Sequence, residues 1–282
     1  MELRELASAP ALGPLFARAA VTQRGRGGDL PGHGLRLAGV EVDRAHLLDY
    51  QHLCRFAGGD VLPHTYPHVI GFPLQVALMA DRSFPLPLPG LVHLENRITV
   101  HRRLTADDRI DLTVHSADLR PHPKGTLVDL VTEVDVGGER VWEGRSTYLR
   151  RGHGDAGAPA PVTGPAVPDG PPAGVLRLPE GLGRAYAAVS GDVNPIHLHA
   201  LTAKAMGFPR AIAHGMWTAA RTLAVVGPVT SGPSTSTVWF RKPVLLPSTV
   251  ELVVDDSADV LVAGLRSGRE TVREHLVLTL ES

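Results

Sequence analysis

Two residues that can exchange protons, Asp192 and His197, lie five positions apart on either side of an Asn-Pro pair. The pair predicts a helix start, because Asn194 is a favoured N-cap and Pro195 suits the first helical position. Asp192 then precedes the helix on the incoming loop, and His197 lies in its first turn. A carboxylate and an imidazole held in this way can act as general acid and base, although the same pattern is also typical of a capped helix without catalytic function.

A second helix start is predicted near Gly215. We expect helices over residues 195–205 and 215–226, the first ending at Gly207 and the second at Gly227-Pro228. The first backbone N–H groups of a helix have no partner within it, and glycine lets a ligand approach them closely. Such an amide can stabilise the oxygen of an enolate. Alternatively, Gly215 only relieves crowding between a helix and a sheet.

The run SGDVNPIH at residues 190–197, followed by AHGM at residues 213–216, resembles the MaoC-type (R)-specific enoyl-CoA hydratase family. This family, also called hydratase 2, has a hotdog fold. The resemblance implies that Asp192 and His197 form a catalytic dyad that handles water. It also implies that Asn194 shapes the loop and that the Gly215 amide contributes to an oxyanion hole. These motifs lie in the second half of the chain, and the first half resembles the family only in its layout.

The resemblance further implies a reaction. It is the reversible hydration of trans-2-enoyl thioesters, or the dehydration of (R)-3-hydroxyacyl thioesters, carried on CoA or an acyl carrier protein. It implies neither a metal nor a redox cofactor. Two alternatives have the same fold: a thioesterase, and a non-catalytic subunit that binds acyl thioesters. The presence of both Asp192 and His197 favours the hydratase.

The chain divides into two degenerate repeats around a stretch rich in Gly, Pro and Ala. We expect an N-terminal hotdog repeat over residues 1–151, a linker over 152–174 and a catalytic hotdog repeat over 175–282. Each repeat is predicted to be one helix on an antiparallel sheet, which is an α+β fold. The predicted strands are 92–103, 109–117, 126–136, 140–150, 235–240, 249–255, 260–266 and 271–280. Pairing the two sheets side by side would cover an exposed edge of each, as in the double hotdog that the resemblance implies.

The first repeat lacks the proton-handling pair. Counted from Asp60 as from Asp192, Leu62 and Thr65 replace the Asn and the His, and His64 is one position out of register. We therefore expect no dyad in the first half. Its predicted role is to complete the sheet and to leave room for the acyl chain.

A Gly-Phe-Pro run recurs at residues 71–73 and 207–209 and serves as a landmark for aligning the repeats. The alignment predicts that the first repeat has lost about one helical turn between Asp60 and this run. It also places Leu78 and Met79 where His214 and Gly215 stand.

Composition excludes several classes of protein. The chain has 282 residues, of which 43% are hydrophobic and 20% charged. Its net charge is -1, so it has no excess of basic residues for binding nucleic acid. No apolar run is long enough to span a membrane, and the first residues do not form a secretory signal. The single cysteine, Cys54, lies among apolar residues and is predicted to be a buried, inert thiol. These features predict a cytoplasmic protein.

Three further expectations concern ligands and partners. Arg241 and Lys242, at a predicted strand end, are candidates for binding the phosphates of the carrier, with a solvated strand end as the alternative. His64 and His68 raise the question of a metal, but no further ligand cluster accompanies them, so we predict none. The fused repeats can form a monomeric pseudo-dimer, and a homodimer of such chains stays open.

Overall fold

The computed structural model describes residues 1–21, 25–159, 162–227, 232–268 and 272–282. Its elements confirm an α+β fold. In chain order they are β1 (Glu2–Glu5), α1 (Leu12–Val21), β2 (His33–Val40), α2 (Arg44–Cys54), α3 (Tyr66–Ala80), β3 (Leu91–Val100), β4 (Ile110–His122), β5 (Gly125–Val136), β6 (Glu139–Arg151), β7 (Gly174–Leu178), α4 (Leu182–Ser190), α5 (Pro195–Leu198), α6 (Ala200–Ala205), α7 (Gly215–Val225), β8 (Ser234–Phe240), β9 (Ser248–Asp255), β10 (Leu261–Ser267) and β11 (Arg273–Glu281). No described helix is both long enough and apolar enough to cross a bilayer.

Over the described residues the strands form one sheet, in the order β1-β2-β4-β5-β6-β3-β8-β11-β10-β9-β7. Neighbouring strands are antiparallel except for β1 and β2, which are parallel. The two halves join where β3 pairs with β8, with Asn96 opposite Val238 and Ile98 opposite Ser236. This pairing covers the edge that each half would otherwise expose. The predicted double hotdog is thus confirmed.

The core lies where the helices pack on the sheet. Along β4, Ile110, Leu112 and Val114 are fully buried, as their alternation with polar residues predicts. The helix α7 is buried along most of its length, including Trp217 and Leu223. Small and apolar residues nearly all round such a helix suit one that lies against a sheet.

The helix predicted over residues 195–205 is interrupted. His199 has an extended backbone, with φ -143° and ψ 143°, and it separates α5 from α6. Gly207 follows α6 in the left-handed region, at φ 89°. The strands β1, β2 and β7 had no counterpart in the sequence prediction. The predicted helix stop at Pro228 and strand start at Thr271 lie outside the described residues, and β11 begins at Arg273.

The Gly-Phe-Pro landmark is wrong as an alignment of the two repeats. In the first half it lies inside α3, whereas in the second half it precedes α7. The equivalent helices are therefore α3 and α7, and the position of Gly215 corresponds to Tyr66 rather than to Met79. Residues 55–65 connect α2 to α3, but residues 191–214 connect α4 to α7 and include α5 and α6. The first half thus has a shorter connection that lacks both α5 and α6, rather than one shortened by a single turn.

The described part of the Gly/Pro/Ala-rich stretch packs along the sheet. Val167 is 8% exposed and contacts Val253 and Val277, on the face opposite the main core. Arg266 donates hydrogen bonds to the carbonyl oxygens of Pro168 and Gly170. This part of the stretch is therefore packed against the second half and does not form a flexible linker there.

Candidate active site

The loop between α4 and α5 fixes the Asp192 carboxylate. The amide N–H of Asn194 donates to Asp192 Oδ1 at 3.1 Å, and the amide N–H of Asp192 donates to Ser190 Oγ at 3.2 Å. The Asn194 side chain accepts from the Ile196 N–H at 3.4 Å, so the predicted N-cap is confirmed. Gly191 makes the turn possible, because it ends α4 at φ 72°.

His197 is held in α5 as a neutral imidazole. Its side chain is almost fully buried, and its Nδ1 donates to the carbonyl oxygen of Ile212 at 2.8 Å. The proton of the neutral ring therefore lies on Nδ1, and Nε2 carries the lone pair. Burial lowers the pKa of His197, and this effect outweighs the Asp192 charge and the Ile212 carbonyl, which both raise it. A neutral imidazole with a free lone pair can accept a proton.

His214 joins the two residues, a role that the sequence did not reveal. Its ring stacks on that of His197 with centroids 3.7 Å apart. Its Nε2 donates to the main-chain oxygen of Asp192 at 2.9 Å and lies 3.8 Å from the Asp192 carboxylate. Burial lowers the pKa of His214 to about 4, so the ring is neutral. The only signal in the sequence was its place directly before Gly215 in the AHGM run.

Gly215 begins α7, and no side chain caps this helix start. Its N–H is therefore one of the donors without a partner inside the helix, at the positive end of the helix dipole. A Cβ at this position would lie 3.1 Å from Cε1 of Phe240. Gly215 thus lies on the cavity wall at a place where a side chain would crowd Phe240, and the role of its amide stays a prediction.

A cavity of about 490 Å³ brings these groups together, with Asp192, Asn194, His197 and Gly215 on its wall. The first half supplies part of the lining, and the sequence did not predict which of its residues would do so. Among those residues are His68, Phe72, Met79, Leu91, His93 and Tyr148. They were missed because they approach the dyad only once the two halves have paired.

Arg241 and Lys242 also lie on the wall of this cavity, at the end of β8. The Arg241 guanidinium pairs with Glu274 and donates to the carbonyl oxygen of Thr163 at 3.1 Å. Lys242 is exposed and forms no ion pair with any described residue. Of the two candidates, Lys242 is the more accessible to an anionic group.

Asp192, His197 and His214 are also the one described group of three side chains whose possible metal-ligating atoms lie close together, within 4.8 Å. One nitrogen of each imidazole is engaged, because Nδ1 of His197 and Nε2 of His214 donate to main-chain carbonyls, and Nε2 of His197 keeps its lone pair. His64 does not belong to this group: its Nε2 contacts Ser236 Oγ at 2.9 Å, between the two halves. The arrangement suits proton transfer beside an amide that can hold a negative oxygen.

Comparisons with known proteins identify dehydratases as similar to this chain. Residues 167–276 match the family model described as MaoC like domain, and residues 54–143 match a model described as FAS1-like, dehydratase domain region. The chain is 37% identical over 245 residues to 3-hydroxyacyl-thioester dehydratase X of Mycobacterium tuberculosis, covering 85% of this chain and 87% of that protein.

Solved structures agree with the fold. The crystal structure of HtdX of Mycobacterium tuberculosis superimposes with a TM-score of 0.78 at 34% identity, over 88% of this chain and 99% of that one. A MaoC-like dehydratase from Phytophthora capsici superimposes with a TM-score of 0.70 at 16% identity, over 90% of this chain and 96% of that one. The second likeness concerns the fold alone.

Proposed function

The chain belongs to the family of MaoC-like dehydratases, and from this premise we propose that it catalyses the reversible dehydration of (R)-3-hydroxyacyl thioesters to trans-2-enoyl thioesters. One observation carries the proposal: Asp192, the neutral His197 and the open amide of Gly215 lie on the wall of one cavity. The (R) stereochemistry rests on the family resemblance.

In the hydration direction, a water molecule lies between the Asp192 carboxylate and Nε2 of His197. The dyad takes a proton from this water as its oxygen attacks C3, and delivers a proton to C2. Negative charge then develops on the thioester oxygen. The Gly215 N–H donates a hydrogen bond to that oxygen at the positive end of α7, which stabilises the enolate. Dehydration is the reverse of these steps.

The two halves have different roles in this proposal. Residues 175–282 supply the dyad and the amide, residues 1–151 complete the sheet and the acyl-binding wall, and residues 152–174 connect them. The exposed Lys242 contacts the phosphates of CoA or of an acyl carrier protein, and Arg241 adds positive charge beside it. The buried, unpaired thiol of Cys54 favours a reducing compartment such as the cytoplasm. A homodimer is compatible with this arrangement.

One assay tests the reaction. Crotonyl-CoA is mixed with the protein, and the absorbance of the conjugated enoyl thioester is followed together with the release of free thiol. Loss of absorbance without thiol release is expected from hydration. Thiol release would instead identify a thioesterase, and neither change, repeated with enoyl thioesters of longer chains and on an acyl carrier protein, would contradict the proposal.

A further inference from the structure

The cavity contains a polar side chain that the proposed reaction does not use. His68, in α3 of the first half, lines the cavity and is only 5% exposed. Its Nε2 has no hydrogen-bond partner among the described residues. Phe72 lies beside its ring, with centroids 6.3 Å apart. An unpartnered polar atom in such a place is costly unless a ligand or water satisfies it.

A neighbouring amide determines which nitrogen of His68 carries the proton. Gln75, about two turns further along α3, is fully buried, and its Nε2 donates to Thr132 Oγ1 at 2.9 Å. The same Nε2 faces Nδ1 of His68 at 3.5 Å. Because an amide nitrogen can only donate, this contact favours the tautomer in which Nδ1 of His68 accepts and Nε2 carries the proton. His68 therefore presents an N–H donor to the cavity.

This donor is neutral and lies near the dyad. Burial lowers the pKa of His68 to about 4, while the Asp192 charge raises the pKa of both His68 and Tyr148. The carboxylate is therefore within electrostatic range of this part of the wall. Because the negative charge of Asp192 acts on this part of the wall, an uncharged oxygen acceptor suits the position better than an anion does.

The position of His68 determines which part of the ligand it meets. In the proposed reaction the carrier enters beside the exposed Lys242, on the second half, and C2 and C3 lie at Asp192 and His197. The acyl group beyond C3 extends towards the first half, where Phe72 and Met79 form an apolar end. Because the rings of His68 and Phe72 are 6.3 Å apart, a chain that reaches this apolar end passes close to His68.

We propose that His68 is a specificity-determining residue, which donates a hydrogen bond to an oxygen on the acyl chain a few carbons beyond C3. This inference rests on the proposed function. A plain alkyl chain would displace water from the His68 N–H and offer no acceptor. An acyl chain with a ketone or hydroxyl oxygen at the right carbon restores the hydrogen bond. Leaving one buried donor unpaired weakens binding by about 5- to 150-fold, which is ~1–3 kcal/mol.

Binding of unreactive ligands tests the inference separately from catalysis. Octanoyl-CoA is compared with octanoyl-CoA that carries a ketone at C5, C6 or C7, by isothermal titration calorimetry. These saturated thioesters lack the alkene and are not hydrated. At least one ketone is expected to bind about 5- to 150-fold more tightly than octanoyl-CoA. Binding of all the ketones no more tightly than octanoyl-CoA would overturn the inference.

Two variants assign the preference to His68. His68→Phe keeps a ring but removes the donor, so the preference should vanish while octanoyl-CoA binds at least as well as to the wild type. Gln75→Leu leaves His68 in place but frees its proton to occupy either nitrogen, so the preference should shrink. It also serves if His68→Phe fails to fold. An undiminished preference in either folded variant would overturn the inference.

Turnover of trans-2-octenoyl-CoA separates the two hypotheses. Turnover without a preference for the ketones refutes only the role of His68. A preference without turnover of any enoyl thioester refutes the proposed reaction and leaves the binding role standing.

Discussion

The imidazole of His214 stacks on that of His197, with centroids 3.7 Å apart, and its Nε2 donates to the main-chain oxygen of Asp192. One side chain thus contacts both members of the proposed dyad, and it is itself only 2% exposed on the cavity wall. It fixes the ring of one member and the backbone of the other. We infer that His214 is a positioning residue.

Replacing His214 with Phe should therefore lower kcat more than it changes KM. The variant keeps a stacked ring but loses the hydrogen bond to the Asp192 carbonyl, which lets the carboxylate shift. A misplacement of about 1 Å can cost on the order of 100-fold in rate. Steady-state kinetics with an enoyl thioester measure the two parameters. His214→Gln, which retains a donor, serves as the matched control and should recover part of kcat; an unchanged kcat in His214→Phe would refute the role.

Asp192→Asn and His197→Ala should each remove nearly all activity. General acid–base groups contribute roughly 10²- to 10⁴-fold to the rate, so the loss should fall at least in that range. Asp60→Asn is the control from the first half, because Asp60 is exposed and pairs with Arg44 on the surface. It should leave turnover largely unchanged. Circular dichroism verifies that each variant folds, and near-normal turnover in either dyad variant would refute the mechanism.

The sequence predicted the dyad because its geometry is local. Asn194 and Pro195 determine a helix start from adjacent residues, and the cap was found as predicted. The failures involve contacts between distant segments. His68 and Tyr148 lie on the cavity wall only because β3 pairs with β8, and nothing near them in the chain reports that pairing.

The Gly-Phe-Pro alignment failed for a different reason. The same three residues lie within a helix in the first half, where Pro73 is inside α3, and in a loop in the second half. A short apolar motif does not determine its own secondary structure when packing against a sheet decides the outcome. The alignment therefore predicted the loss of one helical turn, whereas the first half lacks both α5 and α6.

The pH dependence of hydration should reflect the neutral state of His197. Burial lowers the pKa of this imidazole below its usual value of about 6.5, so its lone pair remains available under mildly acidic conditions. Activity should therefore decline on the acid side only below about pH 6.5, as His197 becomes protonated. A profile of kcat/KM against pH measures the ionisations of the free enzyme. An acid limb with a midpoint above the usual histidine value would contradict this assignment.

Stability should fall steeply in acid because several histidines are buried without charge. Burial lowers the pKa of His64, His68 and His214 to about 4 and that of His93 to about 3. Below about pH 6.5 the unfolded chain binds protons at these positions and the native chain does not. Each histidine then lowers the free energy of unfolding by about 1 kcal/mol per pH unit until its native pKa is reached.

Urea denaturation between pH 7.5 and 5, about the range that spans the usual histidine pKa, measures this dependence. His93→Phe is the control, because the ring of His93 lies between Tyr148 and Phe240 and a phenyl ring suits that position. The free energy of unfolding of this variant should decline less steeply as the pH falls, because unfolding then takes up one proton fewer. A free energy of unfolding that does not change over this range would contradict the neutral assignment of these side chains.

The close contact of Gly183, in α4, with the main chain of His197 allows a test of whether the packing of α4 on α5 positions His197. A Cβ at this position would lie 1.9 Å from the main-chain oxygen of His197 and 2.8 Å from its carbonyl carbon. The backbone of α5 would have to move, and His197 with it. Gly183→Ala should therefore lower kcat by about 10-fold or more and destabilise the fold by roughly 1–3 kcal/mol. Gly181→Ala, at the N-cap of the same helix, is the matched control, because its Cβ would meet only the tip of Arg184 at 3.7 Å. If Gly183→Ala and Gly181→Ala have the same activity, the close packing of α4 on α5 does not determine the position of His197.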